Sequence, residues 1–400
     1  MVVGAGALGL STALGCALAG RSVAVLERHA AGSQASGRAA GLFKSVQADE
    51  LRTRLARRSI DRAITFADWA GTPLAVARHG SFLIARTGRH REFLSRELQQ
   101  SRRWGADVRE ATRAQLAGGL GYYRPGGDDF ALWCPEDIYI DEPASLIQAL
   151  LAACRRHGAV VAEHEPVIGI SVTAGRVRGV ETERRSIAAP VVVDAAGAWA
   201  RQVAAGAGIY VPMVPTRHQL LITEPIEGVR PDLPIVRIMD AAVYVRPCWG
   251  GFLVGGYETD PMPFDMAQLP TTFSIADTPL DLGVLLRLVK QVHDQFPALR
   301  EPSIRVHRGG IPTMTPDGQH LVGPVPGADG FFIASGCNVA GLSIAPAIGE
   351  VLAQWIVDGQ PSQDLAPMSM ARFGPEWTDE RRLREATAWE YWHFYYPRGR

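Results

Sequence analysis

Lysine is almost missing from this 400-residue chain: Lys44 and Lys290 are the only two, and the other basic residues are arginines. That bias reads as GC-rich bacterial coding and says nothing about mechanism. Net charge is missing too, with 41 basic and 41 acidic side chains. A neutral chain has no field to gather nucleic acid or an anionic membrane. No apolar run reaches the roughly 20 residues of a membrane span. The apolar start is too short, and too interrupted by glycine, to read as a signal peptide. Cysteines are scattered (Cys16, Cys134, Cys154, Cys248, Cys337), odd in number and never in a CxxC pair. That argues against a disulfide frame or a zinc site, and for a reducing cytoplasm. His157, His164, His293 and His307 have no ligand spacing, so no metal is expected.

What is present starts at once. "VVGAGALGLSTALG" runs from a short Val strand into Gly4, Gly6 and Gly9 and then a small-residue helix, Leu8 to Ala19. In such a turn Gly4 permits the bend, Gly6 lets the backbone approach a pyrophosphate, and Gly9 lets helix and strand pack closely. The helix N-terminus, at Ala7 and Leu8, offers free N–H groups and partial positive charge. The next strand, "RSVAVLE", ends at Glu27, eighteen residues after Gly9, where an acid binds ribose hydroxyls and disfavours a 2′-phosphate. This is a dinucleotide unit. The turn alone leaves NAD and FAD open.

Further along, helices are expected over 50–70, 91–117 (with Thr112 as a cap), 142–157, 279–296 and 378–396. Strands are expected at 80–86, on both sides of an Ala174-Gly175 turn, at "PVVVDAAG" and through 217–260. "FFIASGCNVAGLSIAPAIGEVLA" reads as strand, Gly-rich turn and long helix, aiming a second helix N-terminus at an electron-rich ligand. The order predicts an α/β (mixed α+β) protein: a Rossmann-type nucleotide domain from residues 1–75, 138–208 and 303–362, with an inserted antiparallel-sheet substrate domain from 76–137 and 209–302. Residues 363–400 form an aromatic-rich helical tail.

Taken together, "VVGAGALGLSTA", "VVVDAAGAWA", "RPCWGGFLVGGYE" and "GGIPTMTPDGQHLVGPVPGADGFFIASGCNVAGLS" resemble the D-amino-acid-oxidase-like superfamily of FAD-dependent oxidoreductases. The likeness spans about residues 1–360. "RHQLLITE" and the tail bring it nearest to the dimethylglycine/sarcosine dehydrogenase and sarcosine oxidase branch. The resemblance implies FAD between a cofactor domain and a sheet-based substrate domain, and hydride removal from a carbon attached to an amine nitrogen. Imine hydrolysis, giving demethylation or deamination, would follow. It implies cofactor contacts from Gly4, Gly6, Ala7, Leu8, Gly9, Glu27, Arg28, Ser36, Arg38, Ala39, Gly41, Leu42, Val167, Ala196, Gly197, Trp199, Gly310, Gly336, Asn338, Gly341, Leu342 and Ser343.

Four positions depart from the family pattern. Gly310 stands where sarcosine oxidases carry a flavin-linked Cys, and Arg38 where dimethylglycine dehydrogenases carry a flavin-linked His; noncovalent FAD is therefore expected. Val254 stands where an oxygen-activating Lys is placed by a gap-free alignment, which leans toward a dehydrogenase with another electron acceptor. Ser343 replaces a Lys. Relatives continue into a folate-binding domain, whereas this sequence reaches only Arg400, so folate capture of formaldehyde is not expected on the same polypeptide. Relatives also carry more residues before the first Val. A form lengthened upstream by about five apolar residues is expected to hold FAD more tightly.

Amine oxidation needs a neutral amine held against the flavin, a modest base, a cation for a carboxylate and an apolar wall. His218 is a candidate proton acceptor or hydrogen-bond partner. Tyr244 and Tyr257 are candidate substrate contacts. Arg246, two residues from Tyr244 and so on the same strand face, is a candidate carboxylate clamp, and Lys44 an alternative. The Trp389–Tyr396 cluster either roofs the site, forms a subunit interface or simply docks on the core. Alternatives to an independent enzyme are a flavin subunit of a hetero-oligomeric oxidase and a FAD-bound scaffold. The partners expected are a small amine or amino acid, an unidentified electron acceptor, and a second copy or another chain.

Overall fold

The computed structural model describes residues 1–120 and 122–395. Two sheets organise the chain. The first has six strands in the order Leu321–Pro324, Phe331–Ser335, Val192–Asp194, Val2–Val3, Ala24–Leu26, Val160–Ala162. All neighbours run parallel except Leu321–Pro324, which is antiparallel to its only neighbour. The two-residue opening strand thus lies in the middle. Its ladder is extended at both ends, because the Met1 amine donates to Val191 O at 2.9 Å and Gly4 N donates to Leu26 O at 2.8 Å.

Helices cover this sheet as a parallel sheet requires. The first, Ala7–Leu18, packs Leu10 and Leu14 against Ile348 and Leu352 of the long helix Gly341–Asp358. Leu146, Leu150 and Ala153 of Pro143–Arg156 join the same cluster. A three-stranded antiparallel sheet, Val167–Thr173, Arg176–Thr182 and Ser186–Ala188, flanks it, with the turn at Ala174-Gly175.

The second sheet has eight strands, in the order Ile304–Gly310, His218–Thr223, Gly251–Gly256, Val243–Cys248, Ile235–Ile238, Ser81–Ala85, Phe130–Cys134, Arg109–Ala111. Every pair but one is antiparallel. Its two faces follow the period of two: Val243, Val245, Phe252 and Val254 enter one core, Tyr244, Leu253 and Tyr257 another. Ile304–Gly310 is an edge of this sheet, so the eight-stranded sheet runs past the expected boundary at 302.

Some local expectations change. The stretch 91–117 is not one helix: Gly88–Arg103 ends at Trp104, a strand forms at Arg109–Ala111, and a second helix, Arg113–Gly119, starts at Thr112. Thr112 does cap it, with Gln115 completing a capping box. The 50–70 helix breaks at Thr65 into Glu50–Ile64 and Phe66–Ala70, and the 279–296 helix shrinks to Leu282–Lys290. Among the described residues, no helix is long and apolar enough to cross a membrane.

Candidate active site

One elongated cavity runs from the opening glycine turn to the terminal helix, between the two sheets. At its first end the turn is forced by sterics. Gly4 has φ +101°, and a Cβ there would lie 2.5 Å from Ala195 O; a Cβ on Gly9 would lie 2.0 Å from Gly4 O. Gly6, the N-cap, has no side-chain cap, while Ser36 Oγ accepts the Ala7 N–H at 3.1 Å. The rest of that helix end is open to the cavity. Glu27 is buried on the same wall; its two oxygens accept Ala5 N and His29 N, each at 2.8 Å. Val167, Trp199 and Arg28 close this end, the Arg28 guanidinium 5.6 Å above the Trp199 ring.

The helix Gly341–Asp358 brings a second N-terminus to the cavity, again without a side-chain cap, through Ala340, Gly341, Leu342 and Ser343. Ala196, Gly197, Arg38, Ala39, Gly41, Leu42 and Gly310 line the wall between. Arg38 Nε donates to Gly309 O at 2.6 Å. Arg308 also lines it; one of its N–H groups meets Ala39 O, and its Nε is buried with no partner among the described residues. Two open helix ends, a buried acid braced against the glycine turn and an arginine with its Nε unpartnered fit an elongated, anionic dinucleotide.

Three expected cofactor contacts lie off the cavity wall. Gly9 is at the helix–strand contact, as its packing role requires. Gly336 and Asn338 do not line the cavity. Asn338 is instead a strut: its Oδ1 accepts Thr315 N at 3.0 Å and its Nδ2 donates to Gly336 O at 2.8 Å. Cys337 and Val339, the residues interleaved with them, reach the cavity.

The other end of the cavity is aromatic. His218, Tyr244 and Tyr257 line it, with Phe394 and Tyr395 from the segment after the terminal helix Glu380–Trp392. Phe394 stacks on Tyr257, ring centres 4.6 Å apart at 12°. The tail roofs the site, while Tyr396 lies outside the described residues. His218 Nε2 meets Tyr244 Oη at 2.9 Å and its Nδ1 meets Tyr391 Oη at 2.7 Å. Burial lowers its pKa to about 4, and neither ring nitrogen meets a carboxylate. As a neutral imidazole held between two hydroxyls, His218 is placed for the second of its two expected roles, that of a hydrogen-bond partner.

Two cations stand at this end. Lys44 Nζ is 2.8 Å from Glu97 Oε1. Burial pulls its pKa down, but Glu97 more than offsets that and holds it above the ordinary value. Arg237, 2% exposed, is 2.9 Å from Asp137, whose carboxylate also takes the hydroxyls of Ser45 and Ser81. Both cations line the cavity. Arg246 does not. It shares a face with Tyr244, but its guanidinium is spent on Asp141 Oδ1 and the carbonyls of Ala40, Asp141 and Pro247. Of the two clamp candidates read from the sequence, Lys44 reaches the cavity and Arg246 does not. Val254 is also misplaced by the gap-free alignment: it is 1% exposed in the core on the far face of its strand, and carries no argument about oxygen.

No motif announces Arg237 or Arg308. For Arg237 the available signal was a lone arginine inside an apolar strand, "PIVRIMD"; Arg308, in "IRVHRGG" beside Arg305 and His307, carried none. A charge inside an apolar strand is costly unless paired, so it marks a buried partner or a site.

The family model described as DAO, FAD dependent oxidoreductase, matches residues 1–355. The mitochondrial sarcosine dehydrogenase of Homo sapiens is 32% identical over 397 residues, 96% of this chain and 42% of that protein. The formaldehyde-forming 4-methylaminobutanoate oxidase of Paenarthrobacter nicotinovorans is 28% identical, covering 97% of this chain and 47% of the oxidase. The chain thus spans less than half the length of these relatives. Among solved structures, the L-proline dehydrogenase of P. horikoshii has a TM-score of 0.83 at 24% identity, over 93% of this chain and 96% of that one. The glycine oxidase of Geobacillus kaustophilus has 0.80 at 24%, over 93% and 98%.

Proposed function

Because this chain belongs to the DAO family of FAD-dependent oxidoreductases, we propose that it oxidises the C–N bond of a small amine carrying a carboxylate, an N-methyl amino acid of the glycine type foremost. Bound FAD, held without a covalent link, supplies the hydride acceptor, and the imine product is hydrolysed by water. The observation that carries the substrate reading is the pairing of Lys44 and Arg237 with an aromatic chamber at one end of the cavity. The sarcosine dehydrogenase and 4-methylaminobutanoate oxidase likenesses support the same class.

The chain's own residues divide the work. The glycine turn, Glu27 and the two helix ends hold the dinucleotide. Lys44 and Arg237 take the carboxylate, each kept charged by its own buried acid. Tyr257 and Phe394 wall off water. His218, with both ring nitrogens engaged by tyrosine hydroxyls, orients the aromatic end of the site, and the amine enters as its free base from solution. The electron acceptor is a redox partner or oxygen.

Anaerobic mixing of the yellow protein with a panel of N-methyl amino acids, simple amines and D- and L-amino acids tests this. N-methylglycine-type substrates should bleach the flavin, and carboxylate-free amines should bleach it far more slowly. Equal bleaching by both removes the clamp, and no bleaching by any removes the reading. Acid precipitation should release the yellow colour, and colour left on the chain excludes noncovalent attachment.

A further inference from the structure

We propose that Tyr391 of the terminal helix is a positioning residue. It fixes the tautomer of His218, and so makes Tyr244 a hydrogen-bond donor toward the substrate's carboxylate. The inference rests on the substrate reading above only for the identity of the acceptor.

The argument is a proton count. His218, as a neutral imidazole, carries one N–H and one lone pair. Its partners are two tyrosine hydroxyls, Tyr391 on Nδ1 and Tyr244 on Nε2. Either hydroxyl could donate, and the ring alone does not decide. Tyr391 decides. It is 1% exposed, wedged among His218, Tyr257 and the sheet, with ring centres 5.7 Å and 5.3 Å away. The hydroxyl of Tyr391 has one hydrogen-bond partner among the described residues, His218 Nδ1, to which its hydrogen points. Pointing it elsewhere would orphan a buried donor.

The consequence propagates across the ring. Nδ1 accepts, so Nε2 carries the hydrogen and donates to Tyr244 Oη. The Tyr244 oxygen is thus occupied as an acceptor, and its own hydrogen is free. Tyr244 lines the cavity, on the wall that also carries Lys44 and Arg237. A donor there suits a carboxylate oxygen and offers little to an ammonium. The tail helix therefore reaches the substrate through two intermediaries, although Tyr391 itself does not line the cavity.

Two measurements test this on the flavin-loaded protein. The first needs no substrate: nitrogen NMR of 15N-histidine-labelled protein, with His218 assigned through His218→Asn. Nε2 should be the protonated nitrogen and Nδ1 the bare one from pH 5.5 to 8. A protonated Nδ1 overturns the proposal. The second titrates acetate, a carboxylate probe, by its effect on the flavin absorbance. Tyr244→Phe and Tyr391→Phe should each weaken acetate binding about tenfold, and the double variant no more than either alone, since both act through one hydroxyl. Losses that multiply, or no loss in Tyr391→Phe, mean a merely structural residue. Should Tyr391→Phe fail to hold flavin, the tautomer of the unaltered protein still decides. Should no amine bleach the flavin, the substrate reading falls while the tautomer result stands.

Discussion

Glu27 accepts the backbone N–H of Ala5 through one carboxylate oxygen, at 2.8 Å, while its other oxygen accepts the N–H of His29 at 2.8 Å. The acid expected to bind ribose is therefore also a brace for the glycine turn. Each oxygen keeps a lone pair for a sugar hydroxyl. Glu27→Gln retains one acceptor, and sets an amide N–H against a backbone N–H. Charge-assisted hydrogen bonds are worth about 1.5–3 kcal/mol. FAD affinity should fall by about 10- to 100-fold, measured by flavin fluorescence on dilution. Unchanged retention would mean that neither role matters.

The carboxylate clamp gives a second expectation. Lys44→Met keeps the apolar stem of Lys44, removes its charge and leaves Glu97, 8% exposed, without its cation. For a substrate with a carboxylate, KM should rise about 10- to 100-fold. For a carboxylate-free amine it should fall or stay level. The ratio of the two is the readout, because a general loss of fold would depress both. Arg237→Met is a harsher test, since it strands Asp137, which is fully buried.

Much of this architecture is legible in the sequence, and the reason is local. The glycine turn, Glu27 and "FFIASGCNVAGL" announce themselves because contiguous residues make the site, and steric need fixes their identity. The inserted sheet reads through its alternation. Arg246 is the instructive failure: period two places it correctly on the face of Tyr244, but sequence cannot show that Asp141 and three carbonyls await it there. Arg237, Arg308 and the tail's Tyr391 are its complement. Their partners lie 100, 269 and 173 residues away, beyond any local pattern.

Asp194 ends the strand beside the opening one, and its carboxyl is completely buried. One oxygen accepts Ala196 N at 3.1 Å and the other has no partner among the described residues. Burial raises its pKa to about 8, against a smaller pull from the Ala196 N–H. The folded protein therefore holds a proton that the unfolded chain releases above about pH 4. Between about pH 4 and 8 this group makes stability fall as pH rises. Asp194→Asn mimics the neutral acid. Its Tm should match the wild type near pH 4 and exceed it by a few degrees at pH 8. A variant less stable at both ends would show that a charged Asp194 is needed.

Histidine produces the opposite slope. His320 is 2% exposed, holds the Gly336 carbonyl at 3.0 Å through Nδ1, and has its pKa lowered to about 4, mainly by burial. His218 shares that value for the same reason. Both are neutral when folded and take protons when unfolded once pH drops below about 6.5. Their contribution is complete above pH 6.5 and is lost as pH falls toward 4. His320→Gln keeps a donor for Gly336 and cannot charge. Its Tm should lie below the wild type at pH 7, because packing is lost, and the gap should narrow steadily from pH 6.5 to 4.5. A gap that stays constant with pH would show that His320 is not held neutral by the fold.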